Sequence, residues 1–518
     1  MGGAITSRGK VGMSINYTFT ETKRIRRALA LFFGLAFVLL LSFGPHPAKP
    51  AHAASNTFTV NSTGDENDLD FPGGNFDGSS DDRCDVDAGA ARRCTLRAAI
   101  QAANTRAGAD MIKFNISGNG PHTISPASAL PLITRRVTID GYTQPGATKN
   151  TIPLATGGTN AALMIELDGP GPGPMSFVGL DLKGASNSVI RGLVINDFDQ
   201  GIRLIGGTGY KVQGNFIGTD KTGMVDEGNG SAGVSLFASY STIGGALPGG
   251  RNLISGNGLG IQAHGVVGTR IEGNLIGTNA SGTNTPNNLG NSGGGMILGP
   301  NLGSPSKNNV IGDSDPSDGY TNAANTIAFN GVQGIKMDSG ATGVANDGTR
   351  ILSNSIFSNT ATAGNLGLGI NLSSEAEDNF GVTANDPLDS DTGPNRLQNY
   401  PVVTRAQTGG TFTSISWTLD STPSTRKKKS VFILQFFSSP SEDPSHFGEG
   451  KTFLGQLQVS TNRQGHADSS KFPFSSAQVV PVDQFVTATA TNKATGDTSE
   501  FSRARIVEDL MPGGGVGP

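Results

Sequence analysis

Between Gly201 and Asn359 single aliphatic residues alternate with polar residues and glycines in a register that returns. Gly201 and Ile202, followed by Lys211, Val212, Gln213, Gly214, Asn215, Phe216, Ile217, Gly218 and Thr219, reappear 59 residues later. The second copy is Gly260 and Ile261, followed by Arg270, Ile271, Glu272, Gly273, Asn274, Leu275, Ile276, Gly277 and Thr278. A looser third copy runs from Gly334 and Ile335 to Arg350 through Ile356. Within and between the copies a phrase N-x-I-x-x-N/D starts at Asn215, Asn252, Asn274, Asn325 and Asn354 and ends at Asp220, Asn257, Asn279, Asn330 and Asn359. Val212, Ile217, Ile254, Ile271, Ile276, Ile327, Ile351 and Ile356 are placed to point inward along very short strands, with polar neighbours outward. Asparagine at the phrase ends suits tight bends, and stacking would align such residues into ladders. Repeats of this kind define a solenoid; the 59-residue unit reads as three coils of about 20 residues each. Residues 111–371 are assigned to a parallel β-helix.

The flanks have other textures. Thr95 is placed to cap a short helix in which Leu96, Ile100 and Ala103 share a face, and such a helix suits the open end of a stack of strands. Strand-like pieces follow at Met111–Ile116, Arg136–Asp140, Met164–Asp168 and Val189–Ile195. Residues 372–396 are acidic and break the repeat. From 397 to 508 longer alternating strands at sandwich spacing take over, with Arg426, Lys427, Lys428 and Lys429 at a turn, and residues 509–518 read as a disordered tail.

Glycine, at 75 of 518 residues, and a charged fraction of only 15% agree with an all-β, turn-rich chain having a thin core. Lys23, Arg24, Arg26 and Arg27 precede an apolar run from Ala28 to Phe43 and an Ala51-His52-Ala53 site. That is the three-part pattern of a secretory leader, covering residues 1–53. The segment carries seven Lys or Arg against one Glu, so its removal takes the formal net charge from −4 to −10. An acidic exported chain disfavours nucleic acid, and loss of the leader leaves no integral membrane association. In an oxidising compartment Cys84 and Cys94 are expected to pair.

Cys84 through Asn104, reading C-T-L-R-A-A-I-Q-A-A-N at its end, resembles the module named for its C-S-L-R-E-A motif at the start of exported bacterial β-helix proteins. We assign it residues 54–110. The phrases at Asn215 and Asn274 and the run from Asp386 to Asn395 are similar to the same group. Ala98 departs from the motif, which has Glu there, and so loses the reciprocal half of a capping box. The resemblance implies a right-handed, pectin-lyase-like parallel β-helix; to it the residue patterns add the N-terminal capping helix and, after it, an immunoglobulin-like β-sandwich, giving an all-β chain. It implies export and no agreed activity.

Candidate chemistry is sparse. Asp197, Asp199 and Arg203 share one turn region, and His264 lies near Arg270 and Glu272. These are the groups from which polysaccharide hydrolysis, needing paired carboxylates, or elimination, needing a base, would draw. Lys211, Arg270 and Arg350 occupy one repeat position, three or more coils apart on this reading. Asp386, Asp389 and Asp391 offer hard oxygen donors for calcium, as does the acidic stretch from Asn56 to Asp87; no cofactor is otherwise required. The reading that follows is a secreted or surface-associated protein that binds or scaffolds polysaccharide or a cell-surface glycan. Two alternatives stand beside it: a lyase, hydrolase or epimerase acting on acidic polysaccharide, and a purely structural or adhesive surface protein.

Overall fold

One aliphatic side chain in each strand points into a shared interior, and this decides how the coils close. The computed structural model describes residues 55–69, 84–87, 92–105, 108–171, 173, 175–312, 323–339, 346–359, 367–373 and 381–510. The leader at 1–53, most of the acidic stretch between Asp70 and Asp82, the insertion at 313–322 and the tail from Met511 lie outside them. Three parallel sheets run the length of the solenoid. The first has nine strands, from Thr57–Val60 to Arg350–Leu352; the second has eight, from His122–Ile124 to Ser355–Phe357; the third has seven, from Val178–Lys183 to Ile370–Ser373. This is the parallel β-helix expected from the repeat. All eight aliphatic residues assigned to its interior are buried, none more than 3% exposed. The expected single strand Val189–Ile195 is two strands on different sheets, Val189–Arg191 and Val194–Asn196. They are separated by Gly192, whose φ of 74° turns the corner.

The coil count differs from expectation. Lys211, Thr242, Arg270, Val310 and Arg350 form one column of the first sheet, so the 59-residue repeat spans two coils, not three. Lys211 and Arg270 are therefore about 10 Å apart along the stack. Loops between sheets lengthen each coil without disturbing its strands.

Two asparagine ladders run up the corners. Between the first and second sheets, Asn215, Asn252, Asn274, Asn325 and Asn354 pass amide hydrogen bonds from each Nδ2 to the next Oδ1 at 2.9–3.2 Å. Between the second and third, Asn229, Asn257, Asn291, Asn330 and Asn359 do the same at 2.8–3.0 Å. All ten side chains are buried. Each amide also meets a backbone group of a neighbouring coil, as Asn274 does at Ile243 O, so none of the ten ladder side chains is left with a buried orphan atom among the described residues.

Both ends of the core are closed. The helix α1 (Leu96–Thr105) is capped by Thr95, whose Oγ1 accepts from Ala98 N at 3.1 Å. Its residues Leu96–Ala103 are buried, and Leu96, Ala99, Ile100, Ala102 and Ala103 belong to the same apolar cluster as the first strands. Arg97 is buried with them and holds Asp65 at 2.8 Å and the carbonyls of Ser128 and Ala129. Cys84 and Cys94 are joined by a disulfide next to the helix start.

At the other end a β-sandwich continues the stack through side chains. Its two sheets are built on Val402–Gly409 with Phe412–Asp420, and on Val431–Ser439 with Thr452–Ser460 and Phe485–Asn492. Arg505–Asp509 pairs with both sheets, and Trp417, Phe432 and Phe436 are buried between them. Toward the solenoid the module offers acceptors where the next coil would have them. Thr498 Oγ1 takes Ile351 N, Gln435 Oε1 takes Ser353 N, Asn395 Oδ1 takes Thr349 N and Glu500 Oε1 takes Leu372 N, all at 2.8–3.0 Å. Glu449 ends the second ladder, its Oε1 accepting from both Asn359 N and Nδ2. Phe437 and Phe501 seal the apolar interior. Of residues 372–396, expected as an acidic linker, 381–396 are packed into this junction; Thr383 N meets Glu500 Oε2 and Asn395 Nδ2 meets Thr498 O.

Candidate functional site

The outward side of the second sheet is apolar where a soluble strand would be polar. Val194, Phe216, Leu253 and Leu275 point away from the core yet are no more than 2% exposed, packed with Leu163 against Tyr142, Ala161 and Ala280. The cover is the segment 141–163. It leaves the first sheet after Val137–Asp140, where Asp140 Oδ1 accepts from Tyr142 N at 3.2 Å, and crosses the face. Tyr142 donates its hydroxyl to Gly214 O at 2.8 Å. Gly192 and Gly214 leave room for the ring: a Cβ on Gly192 would stand 2.7 Å from Tyr142. Arg251, 2% exposed, pins the far part of the segment by donating to the carbonyls of Leu154, Gly158 and Gly273. Burial lowers its pKa to about 10.

This crossing creates a cleft of about 610 Å³ between the segment and the loop 245–250. Tyr142, Lys149, Asn150, Arg191 and Gln213 line it. Asn150 Nδ2 ties the two rims by donating to Pro248 O at 3.1 Å, and Lys149 Nζ lies 5.6 Å from the Tyr142 ring centre. Arg191 Nη2 is held by Asp140 at 2.7 Å, while its buried Nε has no hydrogen-bond partner among the described residues. Burial pushes the Tyr142 phenol upward, so it stays a neutral donor. An aromatic ring, two cations and two amides thus line one polar-rimmed concavity of ordinary ligand size.

The residues anticipated from sequence are scattered. Arg203 is neutralised by Asp181 on the neighbouring strand, with contacts of 3.0 and 2.5 Å. Asp199 accepts from Ser231 Oγ and Gln200 Nε2. His264 ends a third-sheet strand, edge-on to Phe237 at 6.0 Å, and burial lowers its pKa. Arg270 and Glu272 belong to the first sheet and pair with each other. Asp197 alone joins a group of acids, next to Glu166, Asp168, Asp226 and Glu227. Burial first, and those neighbours second, raise its pKa.

Asp386, Asp389 and Asp391 do converge, with one carboxylate oxygen of each within 4.8 Å of the others. Asp389 is held by Asn399 N and Ser421 Oγ, and Asp386 by Ser390. Burial and the two neighbouring carboxylates raise Asp391 to about 6. Three oxygen donors on a tight turn fit a hard cation.

No helix among the described residues is long and apolar enough to cross a membrane. No family model matches the chain, and no curated protein matches it. Among solved structures, tailspike protein gp49 from Acinetobacter baumannii bacteriophage Fri1, described as a capsular polysaccharide depolymerase, aligns over 77% of this chain and 68% of that one. The identity is 9% and the TM-score 0.19, a similarity too loose to bear on site or activity.

Proposed function

We propose that the protein is an exported or surface-associated β-helix that binds polysaccharide, with the cleft between Tyr142 and Gly249 as its glycan site. The observation that carries this reading is the cleft itself: a half-buried Tyr142 ring in its wall, with exposed Lys149 and partly exposed Arg191 and Gln213 to meet hydroxyl and acidic groups, while Asn150 holds the rims together. The leader pattern and the Cys84–Cys94 bridge support an oxidising location. Catalysis has weaker support, because Arg203 and Arg270 are each occupied by a carboxylate. Calcium at Asp386, Asp389 and Asp391 belongs to the same proposal as a structural ion, drawing the turn toward Asn399 and Ser421.

The test is retention of the mature protein on immobilised polysaccharides. Tyr142→Ala and Arg191→Ala are expected to weaken binding about tenfold each, the scale of one lost contact of about 1.4 kcal/mol, with far-UV circular dichroism unchanged. Absence of retention on every polymer, or equal retention of the variants, overturns the reading. New reducing or unsaturated ends in the eluate would replace it with an enzymatic one.

A further inference from the structure

Lys211, Arg270 and Arg350 share one repeat position, and coil stacking turns that position into a column. On the outward side of the first sheet, Lys211 is followed by Thr242, Arg270, Val310 and Arg350 in consecutive strands, each directly paired with the last. The next residue along each strand, from Val212 to Ile351, is buried in the interior, so these five face away from it. Cations therefore recur at every second coil, about 10 Å apart, with a short β-branched residue between them.

The column carries its charge outward. Arg270 pairs with Glu272, but the arginine side chain is 39% exposed and the glutamate 5%. Arg191, on the strand before Lys211, stands over Asp140 in the same way, at 34% against 7%. Lys211 is exposed, and no salt bridge reaches it or Arg350 among the described residues. Arg191 also lines the cleft beside Tyr142, so the column starts at the mouth of the cleft. This row of cations stands on a chain whose formal net charge without its leader is −10.

We propose that the outward face of the first sheet, from Arg191 to Arg350, is a docking track for an extended acidic polysaccharide whose carboxylates recur at least on every second sugar. The inference rests on the reading of the protein as a polysaccharide binder, and adds to it the class of polymer and the direction in which it lies. An extended pyranose chain advances per sugar by close to one coil spacing, about 4.8 Å. A disaccharide thus spans the two coils from one cation to the next, with Thr242 and Val310 as the shelf between. Each exposed ion pair is weak alone, but once the first has formed the others on the same strand close intramolecularly. A neutral polymer would meet the cleft and gain nothing from the column.

Titration calorimetry on the mature protein tests the track, using sodium hyaluronate, with one carboxylate per disaccharide, and the same polymer after reduction of its carboxyl groups. Lys211→Gln/Arg350→Gln is expected to weaken hyaluronate about tenfold, the loss of two exposed ion pairs, and to leave the reduced polymer unchanged. Lys183→Gln/Lys336→Gln removes the same charge from the outward side of the third sheet and is expected to change neither. No binding of hyaluronate, equal binding of the two polymers by the wild type, or equal losses in the two double variants overturns the track. In the second case, weakening of the reduced polymer by Tyr142→Ala still supports the cleft. Conversely, a loss in Lys211→Gln/Arg350→Gln with none in Tyr142→Ala keeps the track and removes the cleft.

Discussion

Replacing Asn330 by alanine isolates what one rung of a ladder contributes. Asn330 is fully buried, and its Oδ1 accepts from Asn291 Nδ2 at 2.8 Å and from Asn291 N at 3.3 Å. Its Nδ2 donates to Asn359 Oδ1 at 2.8 Å and to Ile276 O at 3.3 Å. Truncation leaves Asn291 with an amide proton and Ile276 with a carbonyl that have lost these contacts in a space closed to solvent. A buried orphan costs about 1–3 kcal/mol, so Asn330→Ala should lower stability by about 2–6 kcal/mol. That is a large share of the 5–15 kcal/mol typical of a folded domain. The comparison is Asn284→Ala on an exposed loop, expected within about 0.5 kcal/mol of wild type. Urea unfolding followed by far-UV circular dichroism measures the difference. Because a solenoid can lose coils in parts, hydrogen exchange at residues 291, 330 and 359 should accompany it. A loss under about 1 kcal/mol, or one equal to that of Asn284→Ala, would refute the claim that the ladder holds the corners.

Two further outcomes are expected. Glu449 is wholly buried at the top of the second ladder, and burial, with Asp443 next in weight, raises its pKa from 4.5 to about 8. The folded state then holds a proton that the unfolded state releases. The associated stability is full below about pH 4.5 and falls as pH rises toward 8. Glu449→Gln keeps the acceptor for Asn359 and should flatten the urea midpoint between pH 5 and 8; an unchanged slope in the variant refutes the assignment. Arg251→Met should free the segment 154–158 by removing donors to three carbonyls, at about 2–4 kcal/mol, and admit limited proteolysis there. Unaltered cleavage resistance would show that the segment is held by other contacts.

The solenoid is legible because the phrase N-x-I-x-x-N couples two demands in six residues: an inward aliphatic and a corner amide. Its opening asparagines form one complete ladder, and Asn257, Asn330 and Asn359 at its close belong to the other. Asp220 and Asn279, though in phrase, cap their own loops, through Val225 N and Thr283 N. Insertions there pass the ladder position to Asn229 and Asn291, and the same insertions make a 59-residue spacing look like three coils when it holds two. The cleft was hidden because it depends on a loop lying across a sheet. A trace exists in the second residue of the phrase, which is Phe216, Leu253 and Leu275 in the covered coils but Thr326 and Ser355 beyond them. An apolar outward residue is a request for a cover. The acids at 166, 168, 197 and 227 carry no such mark, since only coil stacking makes neighbours of them.

The junction at Glu449, Gln435, Thr498 and Glu500 has a bearing on how such proteins vary. This module meets backbone amides of the last coil at Ile351, Ser353 and Leu372, but it also reads side chains there: Gln435 Nε2 donates to Ser353 Oγ, Lys451 Nζ lies over the Phe357 ring, and Arg396 pairs with Asp347. Another coil would need those side chains as well as the phrase to dock in the same way. Whole turns can thus be gained or lost in the interior of the rod, while the coil that meets the terminus stays the same.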